Sequence, residues 1–402
     1  MREDLIVVGE RRDGLPSPAY QLMRRLLLDR QVLWVDADAF CRGGGPAKAG
    51  GPAARGDPMG DVTGDQAADQ AGADDNAPFP ILTATALGAG RHPLARFVSP
   101  AMLARRIRRA AQLYGLRQPI LWLAAPGAGA LARCFAADAL VYQHLPMRGG
   151  RARIAEPDGG AVRAVAGDAD LVLVQTPDGG CRAFGPHKTH VLPNGVDTDL
   201  FATPCQRALD IPWDRPVAGY HGRIDARFDV DLVAEAARRL TRWRFVLIGP
   251  VSRDVSALRG LDNVHLLGPR PHAELPRFSQ YWSAAIMPGF RGDSPVSAAS
   301  AGDAPLQLGE YMAAGLPVVV AGDWPLGVYA DLVTPASDGP QLAGALAAVL
   351  EEPPVQRERR RARALGEAWS ARAAFVNRLL DKLCARGRVP LDAHGVGNVA
   401  LY

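Results

Sequence analysis

The stretch Gly289–Val320, GFRGDSPVSAASAGDAPLQLGEYMAAGLPVVV, decides the fold of this chain. Its small residues predict a loop, Leu306–Ala314 predicts a helix, and the apolar run Pro317–Val320 predicts a buried strand. Pro305 suits the first turn of a helix, where a missing N–H costs nothing, and Gly315 suits the left-handed end. A loop that enters a helix N-terminus offers free N–H groups and the positive end of the helix dipole. The stretch therefore predicts a phosphate site.

The acidic residue Glu310 lies about one turn inside the predicted helix. Its carboxylate is placed to accept hydrogen bonds from the sugar hydroxyls of a bound nucleotide. The alternative is an ordinary α/β unit in which Glu310 is a solvated helix residue, because single motifs often match by chance. Both interpretations stay open on this stretch alone.

Four further motifs precede this stretch in a fixed order. They are Val191–Phe201 (VLPNGVDTDLF), Val217–Pro250 (VAGYHGRIDARFDVDLVAEAARRLTRWRFVLIGP), Asn263–Pro271 (NVHLLGPRP) and Leu275–Pro288 (LPRFSQYWSAAIMP). Together with the final PLQLGEYMAAGLPVV, they resemble the C-terminal half of GT-B glycosyltransferases, particularly the bacterial group 1 (family 4-like) enzymes of exopolysaccharide assembly. The resemblance covers about Asp168 to Leu350. It implies an α/β fold with two Rossmann-like, doubly wound domains facing across a cleft, and a C-terminal helix that crosses back.

The composition agrees with a two-domain globular protein. A chain of 402 residues is too long for one compact core, and its formal net charge of +4 is too small to predict nucleic-acid binding. The 5 cysteines are scattered without a CxxC pair or a metal-ligand spacing, so we expect reduced thiols and no metal site. Met1–Arg12 carries acids and only a short apolar run, and no segment reaches the length of a membrane span. A cytoplasmic location is therefore expected.

The first half of the chain predicts a parallel sheet of its own. Apolar runs at Leu5–Val8, Val32–Val35, Pro119–Ala124 and Ala139–Tyr142 predict buried strands, and Ala19–Asp29 predicts a helix after the first of them. The loop after the first strand lacks the GxGxxG pattern of a dinucleotide site. This disfavours a nicotinamide-dependent oxidoreductase.

Two titratable residues of this half are candidates for the catalytic base. His144 ends a strand, where α/β folds place ligand-contacting residues, and an imidazole there can draw the proton from an acceptor hydroxyl. The alternative is a hydrogen-bonded structural histidine. The resemblance implies that the first loop, with Glu10, Arg11, Arg12 and Asp13, faces the cleft and touches the acceptor, which makes Asp13 the second candidate. The alternative there is a solvated loop.

Two segments of this half have unusual compositions. Gly43–Pro78 predicts a disordered insertion, because it is dense in Gly, Ala, Asp and Pro and has almost no large apolar residue to bury. Pro100–Arg117 predicts an amphipathic helix with an apolar face (Leu103, Ile107, Ala110 and Tyr114) and a basic face (Arg105, Arg106, Arg108 and Arg109). Such a helix, over 101–114, either lies on an anionic membrane surface or packs on the sheet with its arginines in water. The lipid-linked acceptors of the resembled enzymes favour the membrane.

The resemblance implies a nucleotide-sugar site in the second half, formed by Gly222, Arg223, Arg291, Gln307, Leu308 and Glu310. Two positions depart from the family pattern. Related motifs have a lysine where this chain has Gln307; a glutamine hydrogen-bonds phosphate without neutralising it, so Arg223, Arg227 or Arg291 would have to supply the charge. The family pair of glutamates is incomplete as well, because Gly302 stands at the first position and Asp303 is one residue off.

We therefore expect an N-terminal acceptor-side domain over 1–196 with the insertion at 43–78, a linker over 197–212, a nucleotide-sugar domain over 213–355, and returning helices over 356–402. The expected function is transfer of a sugar from a UDP- or GDP-linked donor to a glycan or lipid-linked acceptor in cell-surface polysaccharide or glycolipid biosynthesis. No redox cofactor or metal is expected, because the helix dipole and arginines would stabilise the departing nucleoside diphosphate. The alternative is a catalytically weakened GT-B-like binding or scaffold subunit, which Gln307 and Gly302 favour.

Overall fold

The computed structural model describes residues 2–9, 17–36, 78–83, 100–125, 128–135, 137–145, 159–175, 184–289, 306–324 and 326–387. Its strands are β1 (Leu5–Gly9), β2 (Val32–Asp36), β3 (Ile81–Thr83), β4 (Ile120–Leu123), β5 (Leu140–His144), β6 (Leu171–Val174), β7 (Thr189–Val191), β8 (Val217–His221), β9 (Arg244–Ile248), β10 (Val264–Gly268), β11 (Ala284–Pro288), β12 (Val318–Ala321) and β13 (Thr334–Ala336). Its α-helices are α1 (Pro18–Leu26), α2 (Pro100–Leu113), α3 (Gly129–Phe135), α4 (Gly159–Asp168), α5 (Thr198–Ala202), α6 (Val230–Arg239), α7 (Ser256–Arg259), α8 (Pro276–Ser279), α9 (Leu306–Ala314), α10 (Gly339–Ala348), α11 (Pro354–Gly366) and α12 (Trp369–Gly387). Short 3₁₀ turns lie at His272–Glu274, Gly327–Leu332 and Val349–Glu351.

The described strands form two parallel sheets. The first has 7 strands in the order β3-β2-β1-β4-β5-β6-β7, and the second has 6 in the order β10-β9-β8-β11-β12-β13. In each sheet the chain order reverses beside a central strand, which is β1 in the first and β8 in the second. Open α/β sheets bind ligands in the crevice at the carboxyl ends of the strands beside such a reversal. The predicted pair of doubly wound α/β units is confirmed.

Each sheet is covered by apolar layers on both faces. In β1, Ile6 and Val8 pack with Leu103 of α2, whereas Leu5 and Val7 pack on the opposite face with α1 and α12. A strand that is buried on both faces needs apolar residues at every position, not at alternate ones. This is why the strands appear in the sequence as continuous apolar runs.

The C-terminal helix α12 returns to the first sheet, as the resemblance implied. Its apolar residues join the layer that also holds α1 and alternate residues of β1. The Arg30 side chain, just after α1, is 0% exposed; it donates from Nε to Oδ1 of Asn377 at 2.9 Å and from Nη2 to Oδ1 of Asp381 at 2.7 Å. These hydrogen bonds from a buried guanidinium fix the position of α12, in addition to its apolar contacts.

The junction between the sheets is fastened to the start of α12. The Val196 N–H donates to the Glu367 carbonyl at 2.9 Å, and the Trp369 N–H donates to the Val196 carbonyl at 3.1 Å. A Cβ on Gly195 would lie 2.5 Å from the Trp369 ring, so this position has no room for a side chain. Asp197 then caps α5 by accepting the Leu200 N–H at 3.4 Å. The segment predicted as a plain linker thus contains a short helix.

The predicted insertion lies almost wholly outside the residues that the structure describes. The disordered insertion predicted for Gly43–Pro78 lies outside the described residues except for Pro78. The domain boundaries stay predictions; strands β1–β7 lie within 1–196 and strands β8–β13 within 213–355. Among the described residues, no helix combines the length and apolar character that crossing a membrane requires.

Candidate active site

The carboxyl end of β8 forms a turn in which backbone and side-chain atoms lie very close together. Gly222, directly after β8, has a φ of +150°, and its N–H donates to the Ile248 carbonyl at 2.8 Å. A Cβ on Gly222 would lie 1.9 Å from Nε2 of Gln307, and a Cβ on Gly249 would lie 1.8 Å from the Gly222 carbonyl oxygen. Only glycine fits at both positions. The end of the strand is therefore side-chain-free backbone beside the first turn of α9.

The first turn of α9 carries two of the predicted nucleotide-binding residues. Gln307 approaches Gly222 and hydrogen-bonds the Tyr220 hydroxyl, which itself donates to the Arg223 carbonyl at 2.9 Å. Leu308, in contrast, is 0% exposed and packs in the apolar layer under the sheet. Its side chain belongs to the core, and what its position offers a ligand is a backbone N–H of the first helical turn.

Positive charge lies beside the same turn. Arg227 donates from Nε and Nη2 to the two carboxylate oxygens of Asp225 at 3.2 and 3.0 Å, and Arg223 Nε is 3.9 Å from Oδ2 of that carboxylate. Burial alone raises the pKa of Asp225, but the hydrogen bonds and charges of Arg227 and the charge of Arg223 outweigh it and lower the pKa. One carboxylate thus faces two guanidinium groups, and the 66% exposed Arg223 side chain is accessible to a ligand.

Glu310 is buried in a pocket of ring side chains. It is 2% exposed, and its Oε1 lies 2.6 Å from Nε2 of His272 while its Oε2 lies 3.7 Å from Nε2 of His221. The Phe201 ring packs edge-on against His272 with centroids 5.5 Å apart and stacks on His221 at 5.9 Å. The Tyr311 hydroxyl accepts the backbone N–H of His221 at 2.9 Å. The solvated helix residue considered as the alternative for Glu310 is therefore wrong.

The protonation of the cluster follows from its burial. Burial lowers the pKa of His221 to about 3, with a smaller contribution from the charge of His272, so His221 is neutral at physiological pH. Burial also raises the pKa of Glu310, although the hydrogen bond and charge of His272 work against it. Burial by itself lowers the pKa of His272, but the hydrogen bond and charge of Glu310, together with Asp197, outweigh it and raise the pKa. The pair therefore favours an imidazolium facing a carboxylate.

Asp197 connects this cluster to the first sheet. Nη2 of Arg25, on α1, donates to Oδ1 of Asp197 at 3.1 Å and to Oδ2 of Asp199 at 3.2 Å. The Arg25 and Asp197 side chains are only 19% and 11% exposed. Asp197, the first residue of the predicted linker, is thus an anchor point for a helix that packs on the other sheet.

His144 ends β5 in the first sheet. Its Nδ1 lies 3.1 Å from the Tyr142 hydroxyl, and Phe184 packs against its ring with centroids 5.6 Å apart. Burial lowers the pKa of His144, so the imidazole is mostly neutral at pH 7. This geometry fits a hydrogen-bonded structural histidine, and it equally leaves Nε2 as the ring nitrogen that can serve as a base.

Seven candidate site positions lie outside the described residues, namely Glu10, Arg11, Arg12, Asp13, Arg291, Gly302 and Asp303. Their roles stay predictions. Within the described ranges, no group of three or more His, Cys, Asp or Glu side chains is arranged to hold a metal ion.

Sequence reasoning missed the two histidines around Glu310. His221 stands in the quoted motif GYHG and His272 follows the motif NVHLLGPRP, so both were in view. Their sequence separations from Glu310 carry no helical or strand period, because they come from different elements. The available signal was that His221 ends β8 and His272 follows β10, two strands of one parallel sheet whose carboxyl ends meet at one edge.

Comparison with known proteins finds a family match in the part of the chain that forms the second sheet. The family described as "Glycosyl transferases group 1" matches residues 215–352, which contain β8 to β13 and the whole turn around Gly222. A relative from Bacillus subtilis (strain 168), whose name assigns it to teichuronic acid biosynthesis as the glycosyltransferase TuaH, is 30% identical over 224 residues. The aligned part takes in 50% of this chain and 54% of that protein, so the chain spans about half the length of the curated relative that it matches.

Solved structures extend the likeness over almost the whole chain. Sucrose-phosphate synthase from Thermosynechococcus elongatus superposes with a TM-score of 0.60 at 16% identity, covering 96% of this chain and 100% of that one. HepE of Anabaena in complex with UDP gives 0.57 at 15%, covering 94% and 100%. An alpha,alpha-trehalose-phosphate synthase (UDP-forming) from Burkholderia vietnamiensis gives 0.57 at 17%, covering 96% and 100%.

At these identities the likeness concerns the fold. The two parallel sheets, the returning helix α12 and the superpositions all describe one two-domain arrangement. The chain has the GT-B fold, and its residues 215–352 match the family of group 1 glycosyltransferases.

Proposed function

We propose that this protein is a glycosyltransferase that moves a sugar from a UDP-linked donor to a glycan or lipid-linked acceptor in cell-surface polysaccharide assembly. The observation that carries the proposal is the turn after β8, where the absence of side chains at Gly222 and Gly249 exposes backbone beside the first turn of α9. A helix N-terminus above side-chain-free backbone is a site for a diphosphate. The names of the relatives support the donor and the pathway, since HepE is described in complex with UDP and TuaH by teichuronic acid biosynthesis.

The diphosphate contacts follow from the charges beside this turn. Gln307 offers a neutral donor at the position where the family has lysine. The exposed Arg223, with Arg227 close by, is the described source of positive charge, because these two guanidinium groups share the single carboxylate of Asp225. Arg291 stays a further candidate. In the transfer step these groups and the helix dipole would stabilise the charge on the departing nucleoside diphosphate.

Proton removal from the acceptor is assigned to His144, with Asp13 as the second candidate. For Nε2 of His144 to take a proton, Nδ1 must carry the ring hydrogen and donate it to the Tyr142 hydroxyl oxygen, 3.1 Å away. Burial raises the pKa of Tyr142, so the phenol stays protonated and can accept this bond without charge. A neutral, hydrogen-bonded imidazole at a strand end has the chemistry of a general base.

The acceptor side is also where we place contact with a membrane. The face of α2 that packs on the sheet holds Leu103 and Ile107, both buried, whereas Met102 and Leu113 are 56% and 75% exposed beside the arginines. Arg108 lies over the Phe135 ring at 5.9 Å and contributes to packing as well as to charge. Exposed apolar side chains among arginines suit an anionic lipid surface at the cytoplasmic face of the membrane.

Isothermal titration with UDP, GDP and NAD tests the proposal. We expect UDP to bind, NAD not to bind, and a UDP-sugar to be consumed when a suitable acceptor is supplied. Binding of NAD alone would contradict the proposal in favour of an oxidoreductase. UDP binding without hydrolysis or transfer of any UDP-sugar would favour the binding or scaffold subunit, for which the neutral Gln307 is the argument.

A further inference from the structure

The contact between His272 and Glu310 joins two elements that are far apart in the chain. His272 opens the 3₁₀ turn after β10, and Glu310 lies in the first turns of α9, 38 residues later. Their side chains are 13% and 3% exposed, and Nε2 of His272 lies 2.6 Å from Oε1 of Glu310. Charge-assisted hydrogen bonds of this length between buried partners are the strong ones.

Among the described residues, His272 is the group that hydrogen-bonds the Glu310 carboxylate. Phe201 and Tyr311 wall the pocket with rings, and His221 is neutral with its Nε2 lacking a hydrogen-bond partner among the described residues. Asp197, the other charged group near His272, carries the same sign as Glu310 and is held by Arg25. An ionised carboxylate in an apolar pocket needs such a partner, because burial without one strongly disfavours the charged form.

We propose that His272 is a positioning residue for the nucleotide ribose: its Nε2 fixes one oxygen of Glu310, so that ribose hydroxyls meet an oriented His272–Glu310 pair. This inference rests on the proposed function, because it requires a nucleotide beside α9. His272 is the more exposed member of the pair, with a side chain that is 13% exposed against 3% for Glu310. A glutamate held by one oxygen presents the carboxylate in one orientation, which reduces the entropy lost on binding.

The ratio of the affinities for UDP and 2′-deoxy-UDP measures contact with a ribose hydroxyl. A purely structural role of His272 would leave this ratio unchanged. The wild type is expected to bind UDP at least about tenfold more tightly than 2′-deoxy-UDP, the loss of one hydrogen bond to a charged group. Glu310→Gln should reduce this ratio toward 1, and His272→Phe should reduce it to a similar extent. In the double variant His272→Phe should add little, because His272 acts through Glu310. His265→Phe is the matched control, since His265 contacts Arg244 in the same domain, away from the pair.

The pH dependence separates the charge of His272 from its hydrogen bond. Protonated His272 lowers the pKa of Glu310, so removing it should raise that pKa further. If the carboxylate form binds ribose, the affinity of His272→Phe should fall at a higher pH than that of the wild type as the solution is acidified. His272→Gln retains a donor without charge, so it should keep most of the discrimination and still show the shifted acid limb. The titration of the UDP phosphate is common to all variants and cancels in the comparison.

The outcomes distinguish this inference from the proposed function. A wild type that binds no UDP contradicts the proposed function, and the inference falls with it at the first titration. A wild type that discriminates, with Glu310→Gln losing the discrimination and His272→Phe keeping it, overturns the inference alone. Additive losses in the double variant would overturn it too, because His272 would then act independently of Glu310. Circular dichroism and thermal midpoints verify that each variant is folded; should His272→Phe unfold, His272→Gln still gives the decisive shift of the acid limb or its absence.

Discussion

The two sheets share one topology, yet their strand ends are built differently. In the second sheet, Gly222 and Gly249 directly follow β8 and β9 and leave room for α9. Glu310 of α9 is hydrogen-bonded by His272, which comes from another element. In the first sheet, β1 ends in Gly9, where a Cβ would lie 2.9 Å from the Trp34 ring, and β5 ends in His144. The second site is thus made of backbone and one helix start, whereas the first offers single side chains.

The proposed function explains this difference by what each site would recognise. Binding a diphosphate and a ribose requires N–H groups and oxygens at fixed distances. Only certain residue types give that geometry, so such a site contains glycines and a glutamate at a fixed spacing in the sequence. An acceptor contacts side chains carried on loops, whose lengths and sequences change without disturbing the sheet.

The strongest test of the backbone-built site is Gly222→Ala. At a φ of +150° an alanine strains the backbone, and its methyl group, 1.9 Å from Gln307 Nε2 and 2.8 Å from the Tyr220 hydroxyl, must displace the Gln307 side chain. We expect UDP binding to become undetectable by isothermal titration, a loss of at least about 100-fold. Gly260→Ala is the control, because its φ is −90° and no atom lies within 4 Å of the added Cβ. Equal UDP affinity in the two variants would contradict the assignment of the turn.

The next test concerns the first half, through the basic face of α2. Basic residues contribute about 1 kcal/mol each near an anionic surface, so replacing Arg105, Arg106, Arg108 and Arg109 by Gln should weaken vesicle binding on the order of 1,000-fold. Co-sedimentation with anionic and neutral vesicles at low and high salt measures this. Binding of the wild type should appear on anionic vesicles and fade at 1 M salt, where the Debye length is about 3 Å. If the Gln variant binds as well as the wild type, α2 is a solvated surface helix.

A smaller effect is expected for Glu310→Ala. If its carboxylate accepts ribose hydroxyls, each lost bond is worth about 1.5–3 kcal/mol at most, and UDP affinity should fall at least tenfold. Because the residue is buried, circular dichroism must show that the variant is folded. Glu235→Ala, at a half-exposed pair with Arg239 on α6, is the control for losing a glutamate of the same domain. Unchanged UDP affinity in a folded variant would remove Glu310 from the site.

The smallest expected change is a gain from Gln307→Lys. A lysine at this position would add the charge that the family pattern has, and we expect UDP affinity to rise about three- to tenfold. The gain should shrink with salt, since it is electrostatic. Gln307→Met has similar length without charge and serves as the control. No gain would mean that the arginines, led by Arg223, already neutralise the diphosphate.

Sequence prediction succeeded where local chemistry repeats. The apolar runs located most strands, and Pro305 and Gly315 marked the ends of α9 correctly to within a residue. The returning helices predicted over 356–402 correspond to α11 and α12 among the described residues, and the Val196 main chain pairs beside their junction. Tyr114, predicted on the buried face of its helix, follows the end of α2 and is 43% exposed. Helix ends depend on such contacts, which periodicity does not contain.

The sequence by itself determined the fold class, the part of the chain that matches the group 1 glycosyltransferases, the glycines after β8 and β9, and the proline at the start of α9. These follow from backbone chemistry, because a φ of +150° or a helix start restricts the residue type at that position. Only the tertiary structure decided that Glu310 is buried, that His272 rather than solvent holds its carboxylate, and that Arg25 reaches Asp197 from the other sheet. These contacts join residues 38 and 172 positions apart. No local period encodes such distances, and the burial that shifts the pKa of each group exists only once the sheets have formed.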